Sequence, residues 1–376
     1  MKGKGSYKLI ILFGLVSLIS DFTYEGAKSI IGPYLFTLGA SAVVVGFVSG
    51  ISEFLGYFLR LVSGHIADKL KAYWFLTILG YAVNLFSVPL IGLTKNWKVV
   101  ALLMSLERFG KAVRTPPRDV LLSFITQKVG HGKGFGLHEF MDQVGAILGP
   151  LYVALMLGFG YQLAFVSLFI PASLAMLLLA WIKRVYPEEE VERVSSKDGV
   201  KNVSLSGDFL QYLAASSIYA LSFLPFPIVS YHLKASGFTD MSIPVLFSLA
   251  MFSDAVFALL FGYIFDKYGV KSVAFAPLLS SVASPVILYL SPILGLLIWG
   301  GSLGIQESIM RSAVASMVAE SSRGRAYGIF YFSFGLFSFL GSLALGYLYS
   351  LEPAYMVLWS VLLGLISTSI LVLLRV

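Results

Sequence analysis

Gly64-His65-Ile66-Ala67-Asp68-Lys69-Leu70-Lys71 closes one long apolar run, and Gly262-Tyr263-Ile264-Phe265-Asp266-Lys267-Tyr268-Gly269-Val270-Lys271 closes another in the second half of the chain. Each stretch has a glycine, then an aspartate, then basic residues. The glycine permits close approach of two helices. The aspartate sits at a helix end, where a carboxylate can face the positive N-terminus of a neighbouring helix. The lysines hold the turn on the cytoplasmic side of a bilayer. A plain turn obeying the charge bias would need only the lysines, and the repeated glycine-aspartate-lysine order argues against so simple a reading.

Around these stretches, apolar runs of about twenty residues follow one another with short breaks, the signature of membrane-spanning helices. The chain is 57% hydrophobic and 12% charged, against roughly 25% charged in soluble domains. Lipid requires every backbone group to be paired inside a helix or a closed barrel. Barrel strands would be short and alternating, whereas these runs are long and continuous. Twelve spans are predicted, near 8–37, 41–66, 73–93, 98–126, 134–158, 162–183, 207–233, 241–265, 272–290, 293–318, 325–350 and 353–374. The N-terminal apolar stretch carries Asp21 and Glu25 and runs too long for a cleavable signal.

Charge sets the orientation. One set of loops holds most of the lysine and arginine; the other holds only Lys95, Lys98 and Lys234. Both termini are therefore expected in the cytoplasm. The net charge of +7 is explained by this asymmetry, with no need for nucleic acid. The absence of cysteine excludes a disulfide framework and a thiolate metal site. The four histidines never fall at metal-ligand spacing. No cofactor is expected.

The chain divides into residues 1–183, a polar linker at 184–206, and 207–376. Gly132-Lys133-Gly134-Phe135-Gly136 opens span 5, and Gly324-Arg325-Ala326-Tyr327-Gly328 opens span 11. Internal repeats of this kind are typical of transporter folds. On these residues the chain resembles the major facilitator superfamily, whose loop signature G-x-x-x-D-[R/K]-x-G-x-[R/K] is complete in the second copy. In the first copy Leu70-Lys71 replaces the glycine region. The resemblance implies an all-α integral membrane fold of two pseudo-symmetric six-helix bundles. It also implies a cytoplasmic gate at Gly64, Asp68, Lys69, Gly262, Asp266 and Lys267, joined by Arg118. Gly145-Ala146-Ile147-Leu148-Gly149-Pro150 is a small-residue helix seam and resembles the antiporter motif of drug-exporting facilitators, although Leu151 and Tyr152 replace the glycines expected next.

Charge within the bilayer is costly and marks a cavity or a partner. Asp21, Glu25, Glu53, Glu107, Arg108, Lys111, Arg114, Glu139, Asp142, Asp254, Glu307 and Arg311 all lie in spans, and none falls in the cores of spans 3, 6, 9 or 12. Glu107, Lys111, Arg114 and Arg118 form one helical stripe. Depth matching predicts Arg114–Glu139 and Lys111–Asp142 contacts. Pro116-Pro117 is expected to interrupt span 4. An internally neutralised network is favoured over a bare basic site. Arg108 is the candidate substrate or relay contact, and Asp142 the first candidate proton carrier.

The expected function is secondary active transport of a small organic solute by alternating access, proton-coupled and directed to export of amphiphilic compounds. The expected setting is a monomer in the plasma membrane. The alternatives are a proton-coupled uptake symporter of an organic anion and a non-transporting membrane sensor or scaffold. An enzyme is disfavoured, because no nucleophile motif, metal cluster or phosphate loop is visible.

Overall fold

The computed structural model describes residues 3–126, 131–185, 207–318 and 323–374; within these ranges the side chains of 3–6, 61, 65, 68, 124, 126, 131–135, 323 and 324 lie outside the description. The linker expectation therefore falls largely outside the described residues, as does the side chain of Asp68. Among the described residues there are helices and no strands. Fourteen α-helical pieces follow in order. They are α1 (Gly3–Thr37), α2 (Ala42–Leu70), α3 (Tyr73–Leu90), α4 (Trp97–Thr126), α5 (His131–Met156), α6 (Tyr161–Ser167), α7 (Phe169–Val185), α8 (Gly207–Ser222), α9 (Phe226–Ala235), α10 (Ser242–Tyr268), α11 (Phe275–Pro285), α12 (Pro292–Met317), α13 (Arg323–Leu351) and α14 (Pro353–Val372).

Among the described residues, ten stretches are long and apolar enough to cross a membrane. One of them, Ser242–Leu290, contains both α10 and α11, separated by the 3-10 turn Gly269–Ala274. The helix α4 is not among the ten; its length suffices, but its many charges lower the hydropathy.

Prolines shape the helices, and neighbours repair what the prolines break. Pro225 is extended, with ψ of 139°, and separates α8 from α9. The carbonyls left over at the end of α8 are met from other helices. Trp359 Nε1 donates to Leu221 O at 2.9 Å, Ser360 Oγ to Ser222 O at 2.9 Å, and Trp299 Nε1 to Leu224 O at 2.8 Å. Such repair is obligatory where no water is at hand.

The expected interruption at Pro116-Pro117 is corrected: α4 runs unbroken from Trp97 to Thr126. Pro116 has no N–H for the carbonyl of Ala112. Ser63 Oγ of α2 donates to that carbonyl at 2.7 Å instead.

The chain forms two compact units. Unit 1 comprises residues 1–38, 55–197 and 238–248, and unit 2 comprises 39–54, 198–237 and 249–376. Each unit thus takes a short segment from the opposite sequence half. In unit 2, the start of α2 lies on α13: a Cβ at Gly46 would collide with the carbonyl of Ser342 and lie 3.2 Å from the Cα of Gly346. The rings of Phe47 and Phe339 meet there edge to face at 5.9 Å. In unit 1, the start of α10 lies on α5 and α6. Ser248 Oγ donates to Ile147 O at 2.8 Å, and the Tyr161 hydroxyl bonds Asp240.

Candidate functional site

Close helix crossings in unit 1 bring the membrane charges together. The helix α5 meets α1 through its glycine seam: a Cβ at Gly145 would collide with the carbonyl of Leu18, and one at Gly149 with that of Phe22. The helix α3 meets α4 the same way, since a Cβ at Gly80 would sit 2.6 Å from the Arg114 nitrogen. Each crossing brings side chains on facing helices within reach.

Three local ion pairs consume much of the charge. Lys28 pairs with Glu25 at 3.1 Å on α1. Arg108 Nε lies 3.4 Å from Glu107, whose carboxylate also accepts from Asn84 Nδ2 at 2.8 Å. Arg118 meets Asp119 at 2.7 Å and donates to Ser17 Oγ at 3.3 Å. Glu107 does not pair with Lys111, the next residue of its stripe. The contacts of Glu107 lie on α3 and on its own neighbour, because Asn84 occupies the α3–α4 crossing.

Four further charged groups gather on α1, α4 and α5, and among the described contacts none is in a direct ion pair with another: Asp21 of α1, Asp142 of α5, and Lys111 and Arg114 of α4. Lys111 Nζ donates to the Tyr24 hydroxyl at 2.7 Å, and that hydroxyl also interacts with Asp21. Arg114 is 1% exposed. Its guanidinium carbon lies 4.1 Å from the centroid of the Tyr81 ring and 5.9 Å from that of Tyr24. Its Nε and Nη1 have no hydrogen-bond partner among the described residues. Asp142 lies near Ser17 and 3.7 Å from His138 Nε2. Asp21 and Asp142 share each other's field and those of Lys111 and Arg114.

Both interhelical pairs predicted from depth are therefore corrected. Arg114 packs on tyrosine faces, while Glu139 is exposed. Lys111 reaches Asp142 only through space, and its hydrogen bond goes to Tyr24. Depth matching places residues along the bilayer normal but says nothing of their direction around the helix.

The other predicted positions lie elsewhere. Asp254 is 2% exposed and packs behind Gly304 of α12, where an added Cβ would approach its Oδ1 to 2.9 Å. Glu53 is half-buried in unit 2. Glu307 and Arg311 are exposed on α12. Of the gate residues, Gly64 faces Pro116, where an added Cβ would lie 3.5 Å from the ring, an ordinary van der Waals distance. Gly262 faces open space, so the expectation that it serves close helix approach is corrected. Lys69, Asp266 and Lys267 are exposed. Among the described residues no cluster fits a metal ion.

Four residues of the site escape sequence reasoning: Ser17, Tyr24, Tyr81 and Asn84. Their only signal is a polar atom in an apolar span, and the many serines and tyrosines of this chain dilute it.

A family model described as Major Facilitator Superfamily matches residues 13–342 and 211–376. An uncharacterized protein of Mycobacterium tuberculosis is 37% identical over 377 residues, covering 96% of this chain and 91% of its own length. An uncharacterized MFS-type transporter of Methanocaldococcus jannaschii is 28% identical, covering 96% and 93%. Multidrug resistance protein MdtH of Proteus mirabilis is 29% identical over 199 residues, covering 51% and 48%. Among solved structures, the nucleoside transporter NupG superposes with a TM-score of 0.75 at 15% identity, covering 96% and 98%. Peptide transporter POT in complex with sulfate gives 0.77 at 14% identity, covering 96% and 94%. The repeated loop signature, the all-helical membrane architecture and these matches converge: the chain belongs to the major facilitator superfamily, a family of multi-pass membrane transporters.

Proposed function

We propose that this protein is a proton-coupled secondary transporter that exports small amphiphilic organic compounds by alternating access. It is read as a monomer of twelve spans in the plasma membrane, with both termini cytoplasmic.

The observation that carries the proposal is the quartet of Asp21, Asp142, Lys111 and Arg114. Charges held inside a bilayer without a Lys/Arg–carboxylate ion pair are expensive, and a merely structural network would close them into such pairs as Glu25–Lys28 does. Two carboxylates in one buried setting repel, and a proton taken by either removes that repulsion. Lys111 can exchange its Tyr24 hydrogen bond for a carboxylate when the proton leaves. Local protonation is thereby linked to side-chain position on α1, α4 and α5, the helices through which unit 1 would rearrange. The half-length similarity to a multidrug resistance protein supports the export direction and an amphiphilic substrate.

The test is flux in proteoliposomes under an imposed pH gradient, with a fluorescent lipophilic cation as the first probe and a panel of aromatic solutes after it. Proton-driven flux is expected in the wild type. Asp142→Asn and Asp21→Asn should lose gradient-driven flux but retain solute exchange without a gradient. Absence of flux for every solute under every gradient would sink the transporter reading in favour of a sensor. Accumulation along the inward proton gradient would instead make the protein a symporter.

A further inference from the structure

His138 of α5 is 3% exposed, and neither of its ring nitrogens has a hydrogen-bond partner among the described residues. Asp142 stands one helical turn further along, with Oδ2 at 3.7 Å from Nε2 of the ring. We propose that His138 is a proton relay, which passes protons between Asp142 and the cytoplasmic end of α5. The inference rests on the proton-coupled reading for its consequence in transport. The exchange of protons between the two side chains can be measured apart from it.

Helical spacing sets the pair. His138 and Asp142 fall at i and i+4, on one face of α5. The same face continues through Gly145 and Gly149, whose seam against α1 buries it. At about 1.5 Å per residue, His138 lies roughly 6 Å nearer than Asp142 to the start of the helix, the end that charge bias assigns to the cytoplasm. From α4, Arg114, Arg118 and Asp119 bring their charges into the field of the ring. From α1, Asp21 shares the field of Asp142. Glu139, the next residue of α5, is exposed. Arg118 pairs with Asp119 at 2.7 Å, and the Asp119 side chain is 43% exposed. Titratable groups therefore step from buried Asp142, through His138, to a carboxylate that meets water.

A histidine kept for packing or structure normally has its buried polar atoms hydrogen-bonded. An imidazole with both nitrogens unengaged suits a different task, since one accepts a proton while the other donates. In the export direction, protonated Asp142 gives its proton to the lone pair of Nε2. The imidazolium then releases the proton on Nδ1 toward the cytoplasm. One proton leaves Asp142, one leaves the ring, and His138 ends neutral with its hydrogen on Nε2. Asp142 and Asp119 favour the transient cation, while Arg114 and Arg118 hasten its discharge. The resting separation of 3.7 Å closes by side-chain rotation, as proton-transfer contacts do on entering the working state.

The experiment uses full-length protein in proteoliposomes. Infrared spectroscopy follows the carboxyl band of protonated Asp142, assigned by its loss in Asp142→Asn. A switch from H2O to D2O then times how fast this carboxyl trades its proton. His138→Gln should slow the exchange on the order of a hundredfold, the usual worth of a positioned proton-transfer group. His138→Glu has the same shape as the Gln variant but can carry a proton, so it should restore much of the rate. Flux driven by a pH gradient should follow the same order, with a shifted pH profile in His138→Glu. If these side chains fold poorly, His138→Asn and His138→Asp make the same comparison. Equal exchange rates in wild type and His138→Gln would overturn the relay. Equal impairment of the Gln and Glu variants would also overturn it, because that marks a structural role. So would the absence of a protonated Asp142 band at every pH. Proton exchange that depends on His138, in a wild type without proton-driven flux, would support the relay and count against the transport reading alone.

Discussion

At the scale of single residues, Lys71 is the clearest departure from the family pattern. It occupies the position that Gly269 holds in the second signature loop. Both adopt left-handed backbone, with φ of +50° at Lys71 and +67° at Gly269. The turn needs that conformation in both halves, and only the second has the residue that adopts it without strain. Lys71→Gly should therefore stabilise the protein by roughly 0.5–1 kcal/mol, with the lost turn strain outweighing the gain in unfolded-chain freedom. Gly269→Ala should cost about 1 kcal/mol or more. Thermal unfolding of the two variants checks both signs, and a destabilising Lys71→Gly would refute the account. The loop itself was legible in the sequence. That Lys71 would accept the glycine's conformation was not, because a lysine in a loop carries no mark of its φ.

At the scale of elements, the governing fact is that proline breaks are repaired from outside the helix. Ser63→Ala removes the donor that meets Ala112 O beneath Pro116. It should cost about 1–3 kcal/mol, the usual penalty for a buried polar group left unpaired. Ser63→Thr keeps the hydroxyl and should cost less, so comparing the two melting curves separates the hydrogen bond from packing. Trp299→Phe should likewise strand Leu224 O and lower stability by about 1–3 kcal/mol, apart from the smaller loss of ring area. A Phe variant with wild-type Tm would show that this carbonyl has another partner. The spans themselves were readable from hydropathy to within a few residues: α10 is Ser242–Tyr268 against an expected 241–265, and α12 is Pro292–Met317 against 293–318. The continuity of α4 through its two prolines was not readable. It depends on a serine more than forty residues earlier, on another helix.

At the scale of the whole molecule, each compact unit borrows a segment from the other half of the sequence. Gly46 shows how tight the borrowed packing is within unit 2, since any side chain there would meet the backbone of α13. Gly46→Val should push α2 away from α13 at a cost of about 1–3 kcal/mol, as overpacking does. If this contact belongs to one state of the transport cycle, the variant should also slow gradient-driven flux while its detergent-solubilised fold remains intact by circular dichroism. Unchanged flux and unchanged Tm together would show that the contact carries no weight.

The membrane class, the positions of the spans, the repeated signature loop and the helices that carry charge are all legible in the amino-acid sequence. Each of these follows from local composition and spacing, and lipid enforces them on any chain that enters it. Which charges pair is settled by the packing of the helices. Glu107 turned to Asn84, Lys111 to Tyr24 and Arg114 to Tyr81, leaving Asp21 and Asp142 to face two cations without touching either. Those choices depend on how helices rotate about their axes when glycine seams close. Rotation is set by contacts between residues far apart in the chain, which no local pattern encodes.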